Sequence, residues 1–314
     1  MYDKVGKFIA LKILLGLIFL IFILPARAEN IILEDNFSGV LLTMPDGAEK
    51  LYPDPSKWAF TFLPGIKWPD SYGDGTNWLE GNDECQSYIT PFIDKINEKS
   101  LRLDLRYDPF LIKKDGLHIK ADILSAEQQH AYQIGGHRRF GSGMILSRKS
   151  FTYGKIRLVA KLPNALGSWP ALWLLPKKFS WPPEIDIFEA MAWGKHAQEI
   201  HSGYITPNQN SYGDWFDIKV NPSEDFHEYV LDWTPETLTA YFDNKILWQK
   251  PTPSSMHNEM YIIINLAVGG KWAFNELDIL PIDGRSQERL IKGANLIEEH
   301  YPAEMIVKSL SVTR

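Results

Sequence analysis

Residues 181–190 have the sequence WPPEIDIFEA, which places three carboxylates within six residues of an apolar segment. Successive side chains of a strand point to opposite faces, so Glu184 and Asp186 would share one face. Glu189 is an odd number of residues from Glu184, and a regular strand would turn it toward the core. A β-bulge with Phe188 as the irregular residue would return Glu189 to the carboxylate face, and such bulges cluster beside active sites.

Three anions on one face repel one another, so stability alone does not favour this arrangement. Two carboxylates held about 5–5.5 Å apart are what a retaining glycosidase requires. The alternative is an exposed acidic strand face, the common explanation for scattered Glu and Asp. The neighbouring sequence is rich in Trp, and residues 181–190 contain no Lys or Arg. The pattern therefore favours catalytic carboxyl groups over a solvated face.

Strand patterns dominate the rest of the chain. Alternating runs rich in β-branched and aromatic residues recur between turns, at residues 101–107, 117–123, 155–162, 200–205, 229–233, 238–242, 261–268 and 305–312. A short helix or a structured insertion is expected at residues 286–299, and no repeat or linker divides the chain. Many antiparallel strands without long helices predict a two-sheet sandwich or a closed barrel. We expect residues 29–314 to form a single domain.

Residues 1–28 are set apart from this fold. Three lysines precede the apolar run at residues 13–24, and small residues follow it at 26–28. This is the pattern of a secretory signal peptide, and the apolar run is short for a transmembrane helix. The sequence therefore predicts a secreted or periplasmic bacterial protein, with an uncleaved N-terminal anchor as the alternative.

The net charge and the cysteine content limit the possible partners and disulfide bonds of the protein. The formal net charge is −6, and removal of residues 1–28, with four basic and one acidic residue, would change it to −9. An acidic protein argues against nucleic acid or an anionic membrane as partner. Cys85 is the only cysteine, so no intramolecular disulfide can form. A small buried apolar side chain is its expected role.

Aromatic residues flank the carboxylate strand, as a glycan site needs because a sugar ring has an apolar face and a polar rim. Trp169 and Trp173 precede the strand, Trp181 lies at its entrance and Trp193 follows it. We expect Trp169 and Trp193 to line a cleft, because Gly and Pro neighbours place them at strand ends. Core packing, the usual role of Trp, is expected instead for three others, Trp58, Trp233 and Trp248.

His201 falls on the strand expected after the carboxylates. A lone His is more often a satisfied core or surface residue, but beside an acid/base carboxylate it could hold the hydrogen-bonding geometry. No His pair has the spacing of metal ligands, so no metal site is predicted. The chain also lacks a serine-hydrolase elbow, a phosphate-binding loop and a dinucleotide fingerprint.

Residues 184–189, with the spacing Glu-x-Asp-x-x-Glu, resemble the catalytic signature of glycoside hydrolase family 16 in its bulged form. Other segments resemble further parts of that family, at residues 151–155, 160–163, 167–176, 225–229, 231–235 and 261–270. The resemblance implies an all-β, concanavalin-like β-jelly-roll of two antiparallel sheets with a concave substrate cleft. It also implies a retaining endo-glycanase that requires no cofactor; the sequence does not indicate a structural calcium ion, which stays open.

The resemblance implies a role for each matching residue. Glu184 would be the nucleophile, Glu189 the acid/base and Asp186 the assistant between them. Sugar contacts are implied for five side chains, Trp169, Trp173, Trp193, His201 and Glu84. Asp83 stands where the family usually has Asn, next to Glu84. The connection across residues 271–304 is longer than that of the family.

The bulged signature accompanies glucanases, agarases, carrageenases and bacterial exopolysaccharide glycanases. The context of residues 181–189 resembles the glucanase and exopolysaccharide-glycanase members most. We therefore expect the partner to be a β-glucan (1,3 or mixed 1,3-1,4) or a glucan-like bacterial exopolysaccharide, and the protein to be a monomer. A transglycosylase acting on the same polymers and a non-catalytic glycan-binding protein remain alternatives at this point.

Overall fold

The computed structural model describes residues 30–43, 47–60, 76–77, 79–89, 107–178, 181–208, 210–276 and 287–314. The expected signal peptide at residues 1–28 lies outside these ranges, and so does all but the last residue of the expected strand at 101–107. Within them, no helix has both the length and the apolar character that crossing a membrane requires.

Strands supply most of the regular structure. The first ten are β1 Ile31–Asp35, β2 Val40–Thr43, β3 Glu49–Tyr52, β4 Trp58–Ala59, β5 Thr76–Asn77, β6 Gln86–Ile89, β7 Phe110–Lys113, β8 Gly116–Ile123, β9 Phe140–Ser142 and β10 Met144–Ser147. They are followed by β11 Gly154–Lys161, β12 Ser168–Pro176, β13 Glu184–Ala190, β14 Glu199–Ile205, β15 Tyr212–Asp217, β16 His227–Trp233, β17 Thr237–Phe242, β18 Lys245–Pro251, β19 Met260–Val268 and β20 Ala303–Thr313. The α-helices are α1 Ala126–Ala131, α2 Gly270–Glu276 and α3 Gln287–Ile297.

In the described part of the chain, these strands form two large sheets and the small β2–β3 hairpin. The seven-stranded sheet has the order β15-β14-β13-β12-β19-β10-β4, with antiparallel neighbours throughout. The eleven-stranded sheet has the order β18-β17-β16-β11-β20-β8-β9-β6-β5, with β1 on β20 and β7 on β8. The pairing of β6 with β9 is parallel. The predicted β-jelly-roll sandwich is confirmed, with this parallel pair as a local departure.

The core lies between the two sheets. From β11, Ile156 and Leu158 point inward, alternating with more exposed residues. From β12 and β19, Leu172 and Ile264 join the same core cluster. Trp173, of opposite parity to Leu172, belongs to a second cluster, so the other face of β12 forms a separate surface, the floor of the cleft. Three tryptophans are buried in the core as predicted, namely Trp58, Trp233 and Trp248.

Helix α3 confirms the short helix predicted at residues 286–299. It approaches α2 closely: at Gly293 of α3, an added Cβ would lie only 2.7 Å from the ring of Phe274 in α2. Ile297, at the end of α3, contacts Gly167, where an added Cβ would lie 2.9 Å from the isoleucine side chain. Helix α3, within the long C-terminal connection, therefore packs against the loop that leads into β12, one strand away from the carboxylates.

A glycine substitution tests the close approach of β8 and β20. Gly116 has a φ of +130°, and an added Cβ would lie 2.2 Å from the carbonyl oxygen of Val307. We expect Gly116→Ala to lower the free energy of unfolding by about 1–3 kcal/mol, because it adds backbone strain and steric overlap. Urea denaturation measures the change. Gly135→Ala is the control, since Gly135 is exposed with no atom within 4 Å of an added Cβ; equal effects would contradict the prediction.

Candidate active site

The bulge in β13 lies among the carboxylates. On β12, Trp173 pairs with Asp186 and Leu172 pairs with Phe188, so Ile187 is the extra residue. The sequence predicted a bulge here but assigned the irregular position to Phe188, which instead keeps its partner on β12. The side chains of Ile187 and Phe188 are both buried in the core. Asp186 and Glu189, on either side of this pair, can therefore both face the cleft.

The bulge brings the three predicted carboxylates to one face. Glu184, Asp186 and Glu189 line the same cavity, which has a volume of about 470 Å³. Asp186 is only 5% exposed, whereas Glu184 and Glu189 have intermediate exposure. A buried carboxyl thus lies between two carboxyls that a ligand can reach.

Asp186 and Glu184 share a hydrogen bond between their carboxyl groups. Burial, and then the charges of Glu184 and Glu189, raise the pKa of Asp186 well above its usual value. Burial and the charge of Glu189 also raise the pKa of Glu184, while hydrogen bonds from Trp181 and Asp186 oppose this. Trp181 Nε1 lies 3.1 Å from Glu184 Oε2. Of the two carboxyl groups, Asp186 is therefore the one that holds its proton more tightly, and it donates this proton to Glu184.

Each oxygen of the Glu189 carboxyl has its own partner. Trp169 Nε1 donates to Oε1 over 3.1 Å, and His201 Nδ1 lies 3.2 Å from Oε2. His201 lies directly across from Glu189 in the pairing of β13 with β14. Groups from both neighbouring strands therefore orient this carboxyl, as general acid/base chemistry requires.

Aromatic side chains form a wall beside Glu189. Trp169 and Trp272 meet edge to face with their ring centroids 4.9 Å apart, and Trp215 stacks on Trp272 at 5.4 Å. His196 stacks on Trp215 at 3.6 Å, and two carboxylates bind both of its ring nitrogens. The wall is therefore braced by packing and by hydrogen bonds beyond the cavity itself.

The Glu184 end of the cavity is also aromatic. It is lined there by Trp181, Tyr204 and Tyr212, and Trp181 is 49% exposed. Tyr204 lies across from Tyr212 in the β14–β15 pairing, with the ring centroids 6.0 Å apart. Aromatic groups thus flank the carboxylates at both ends of the β13 segment.

The sequence did not identify several residues that line the cavity, including Trp272, Tyr204, Tyr212 and Asn265. Asn265 accepts a hydrogen bond from Trp173 Nε1 over 2.7 Å. The sequence offered one clue to these residues, their nearness to a predicted site residue: Tyr204 comes three residues after His201. Proximity alone does not reveal the strand register that brings Tyr212 beside Tyr204.

Four of the five predicted sugar contacts line the cavity, namely Trp169, Trp173, His201 and Glu84. Trp193 does not. It is 5% exposed, packs against Met191 and Ala273, and donates its Nε1–H to the carbonyl of Ser168 over 2.8 Å. Because β13 ends at Ala190, the alternation that keeps side chains on the cleft face stops before Trp193. The structure therefore corrects its expected sugar contact to a packing role.

The arrangement suits nucleophilic and acid/base chemistry by carboxyl groups. Glu184 and an oriented Glu189 line the same cavity. Among the residues that the structure describes, no group of three or more His, Cys, Asp and Glu side chains is arranged to hold a metal ion. The structural calcium ion that the sequence left open has no such ligand group in this part of the chain.

Glu84 is a buried carboxyl group at the cavity, 2% exposed. The side-chain amides of Asn82 and Gln86 donate to its oxygens over 3.0 and 2.5 Å. Burial nevertheless raises the pKa of Glu84 to about 7. The group therefore changes its charge near neutral pH.

The raised pKa predicts a pH-dependent stability. Native Glu84 binds its proton more tightly than the unfolded chain, where the usual value is 4.5. Its stabilising contribution is therefore full below pH 4.5 and is lost as the pH rises through about 7. From pH 4 to pH 8, the wild type should therefore lose stability relative to Glu84→Gln. The difference in unfolding free energy between the two proteins should change by roughly 3 kcal/mol in favour of the variant. Urea unfolding measures this, with exposed Glu224→Gln as control; a pH-independent difference for Glu84→Gln would contradict the prediction.

Comparison with known proteins agrees with this site. The sequence pattern of glycosyl hydrolases family 16 matches residues 104–279. Two endo-1,3-1,4-beta-glycanases of Rhizobium meliloti (strain 1021), EglC and ExsH, are 34% and 36% identical to this chain over 198 residues. Each match covers 61% of this chain but 39% of the relative, so the chain spans about two fifths of their length. The X-ray structure of the laminarinase from Rhodothermus marinus has 23% identity and a TM-score of 0.61, covering 91% of this chain and 97% of that one. With the family pattern matched over more than half of its length, the chain belongs to glycosyl hydrolases family 16.

Proposed function

We propose that this chain is a retaining endo-glycanase that hydrolyses internal β-glycosidic bonds of a β-glucan, 1,3-linked or mixed 1,3-1,4, or of a glucan-like bacterial exopolysaccharide. The observation that carries the proposal is the bulged strand, which presents Glu184 and Glu189 to one cavity with Asp186 buried between them. A glycan-binding protein without catalysis has no use for such a mutually repelling group.

The proposed roles follow from the hydrogen bonds. Glu184, ionised and hydrogen-bonded by Asp186, attacks the anomeric carbon, while Glu189 protonates the leaving oxygen as the glycosidic bond breaks. Glu189, now ionised, takes a proton from a water molecule, which attacks the same carbon and releases Glu184 as a carboxylate. Asp186 stabilises the carboxylate form of Glu184, the form that the second step regenerates. Two inversions at one carbon give net retention.

The aromatic groups support cleavage within a polymer. Trp181, Tyr204 and Tyr212 lie at the Glu184 end, and Trp169 and Trp272 at the Glu189 end. Aromatic rings at both ends can stack on sugar rings on either side of the broken bond. An enzyme that removes terminal sugars needs such platforms on one side only.

The substrate class is supported by the relatives. EglC and ExsH are named endo-1,3-1,4-beta-glycanases, and the aromatic cavity with few basic groups fits a neutral glucan better than a sulfated galactan. We infer that the protein acts as a monomer on extracellular or periplasmic polysaccharide, following export directed by residues 1–28. Laminarin, mixed-linkage glucan and a succinoglycan-type polymer are the substrates to compare.

The retaining mechanism predicts the first product. Incubation with the best of these polymers should release oligosaccharides, and proton NMR of the earliest product should show the β anomer, because the displacement occurs twice. An α anomer formed first would contradict the mechanism. Lengthened products at high substrate concentration would show transglycosylation through the same intermediate.

Removal of the nucleophile separates catalysis from binding. Glu184→Ala should lower kcat by roughly 10⁴-fold, because it removes the carboxylate proposed to form the glycosyl-enzyme. Exposed Glu224→Ala is the control and should retain the wild-type rate. Unchanged turnover in Glu184→Ala would show that another residue is the nucleophile, and a wild type that binds the polymers without cleaving any of them would establish the binding function instead.

The pH dependence of kcat/KM tests the electrostatics. Attack requires ionised Glu184, so activity falls as the pH falls through the pKa of this group in the free enzyme. Because burial raises that pKa, the acidic limb should lie above the usual Glu value of 4.5. Trp181→Phe removes an indole N–H that stabilises the carboxylate, and should move the limb to still higher pH. A limb at or below 4.5, or one that Trp181→Phe leaves in place, would contradict these assignments.

A further inference from the structure

The backbone at the β13 bulge is held by one side chain of the next strand. Ser202 is the single β14 residue opposite the pair Ile187 and Phe188. A bulge disrupts the ladder, and buried carbonyl groups there need other partners. The Ser202 hydroxyl oxygen lies 3.1 Å from the carbonyl oxygen of Asp186 and 2.8 Å from that of Ile187. The hydroxyl thus supplies the donor that a regular strand pairing would have provided.

The orientation of this hydroxyl is set from the opposite sheet. Trp248, on the edge strand β18 of the eleven-stranded sheet, donates its Nε1–H to Ser202 Oγ over 2.8 Å. An indole nitrogen only donates, so Ser202 Oγ must accept this bond and direct its own proton to the carbonyl groups. Ser202 is 0% and Trp248 4% exposed, so water does not compete for either bond.

We propose that Ser202 and Trp248 are positioning residues for the glycanase reaction, which fix the bulge and thereby the place of Glu189 relative to Glu184. This inference rests on the proposed function. Neither residue lines the cavity, so they act through the backbone rather than on the sugar. A displacement of about 1 Å at a catalytic group can lower a rate by 10²-fold. A hydrogen-bonded chain in a dry core resists such a displacement.

Ser202→Ala tests this role directly. It removes the hydroxyl with little change in volume, so the carbonyl groups lose their donor and the bulge can shift. We expect kcat to fall roughly 10–100-fold with KM changed by less than about threefold, because the cavity aromatics stay in place. The pH profile of kcat/KM should also change, since Glu184 and Glu189 would no longer lie at the same distance from each other.

Ser147→Ala is the matched control. Ser147 is likewise 0% exposed in the seven-stranded sheet, accepts one bond from the Ile262 N–H and donates one to the Lys149 carbonyl, both over 2.9 Å. Its loss should lower the unfolding midpoint as much as that of Ser202 but leave kcat and the pH profile unchanged. Equal kinetics for the two variants would show that Ser202 is only structural and would overturn the proposal.

Trp248→Phe tests the second hydrogen bond, from Trp248 to Ser202. It keeps an aromatic ring but removes the N–H, so kcat should fall in the same direction as in Ser202→Ala. Because Trp248 acts through Ser202, kcat of the double variant should match that of Ser202→Ala within about threefold. If the fold-changes in kcat of the two single variants multiply in the double variant, the two residues act independently and the proposed hydrogen-bonded pair is overturned.

A crystal structure of Ser202→Ala gives a result that does not depend on activity. We expect the Glu189 carboxyl to have left Trp169 Nε1 and His201 Nδ1, with the β13 pairing altered; an unchanged bulge would overturn the proposal even if the wild type is an active glycanase. An inactive wild type with a shifted bulge in the variant would instead count against the proposed function alone. If Ser202→Ala does not fold, the crystal structure of Trp248→Phe provides the same comparison. If neither folds while Ser147→Ala does, the contact is structural and the proposal fails.

Discussion

The odd spacing of Glu184 and Glu189 constrains the whole cleft face, because a regular strand would direct one of the two carboxyl groups into the core. The extra residue, Ile187, resolves this conflict. It lets Ile187 and Phe188 both enter the core, so that the carboxylates on either side of them face the same cavity. The inter-sheet packing of these two side chains therefore supports the geometry of the site as well as the stability of the fold.

Electrostatic repulsion is the second consequence of this arrangement. Three carboxyl groups in one partly buried site cannot all be ionised without a large desolvation cost. Burial raises the pKa of Asp186, which allows a proton to be held between Asp186 and Glu184. The indole donors of Trp181 and Trp169 compensate the remaining charge at opposite ends of the group. In the proposed function, the aromatic residues thus serve both as surfaces for sugar rings and as hydrogen-bond donors.

Strand periodicity was enough to predict the sandwich and the bulge near the carboxylates, while the short C-terminal helix was one of two possibilities that the sequence offered for residues 286–299. It could not assign the irregular position, because Ile187 and Phe188 are both apolar and only the pairing with β12 distinguishes them. The expected sugar contact of Trp193 followed from its small neighbours, which suggested a strand end, and from the family resemblance, whereas the side chain packs behind the site. Tyr212 and Trp272 were missed because they reach the cavity through strand register and the α2 turn, which long-range contacts define. The local sequence pattern therefore identified the carboxylates that face the cavity better than the residues around them.

The identity of the residue that forms the covalent bond to sugar tests this arrangement most directly. An activated 2-deoxy-2-fluoro glycoside of a glucan disaccharide slows the second step more than the first, so a retaining enzyme accumulates the glycosyl-enzyme. Proteolysis and tandem mass spectrometry then locate the label. We expect it on Glu184, with Glu189 and Asp186 unmodified. A label on Glu189, or complete turnover of the polymer without any covalent adduct, would contradict the division of roles that the bulged strand and its hydrogen bonds define.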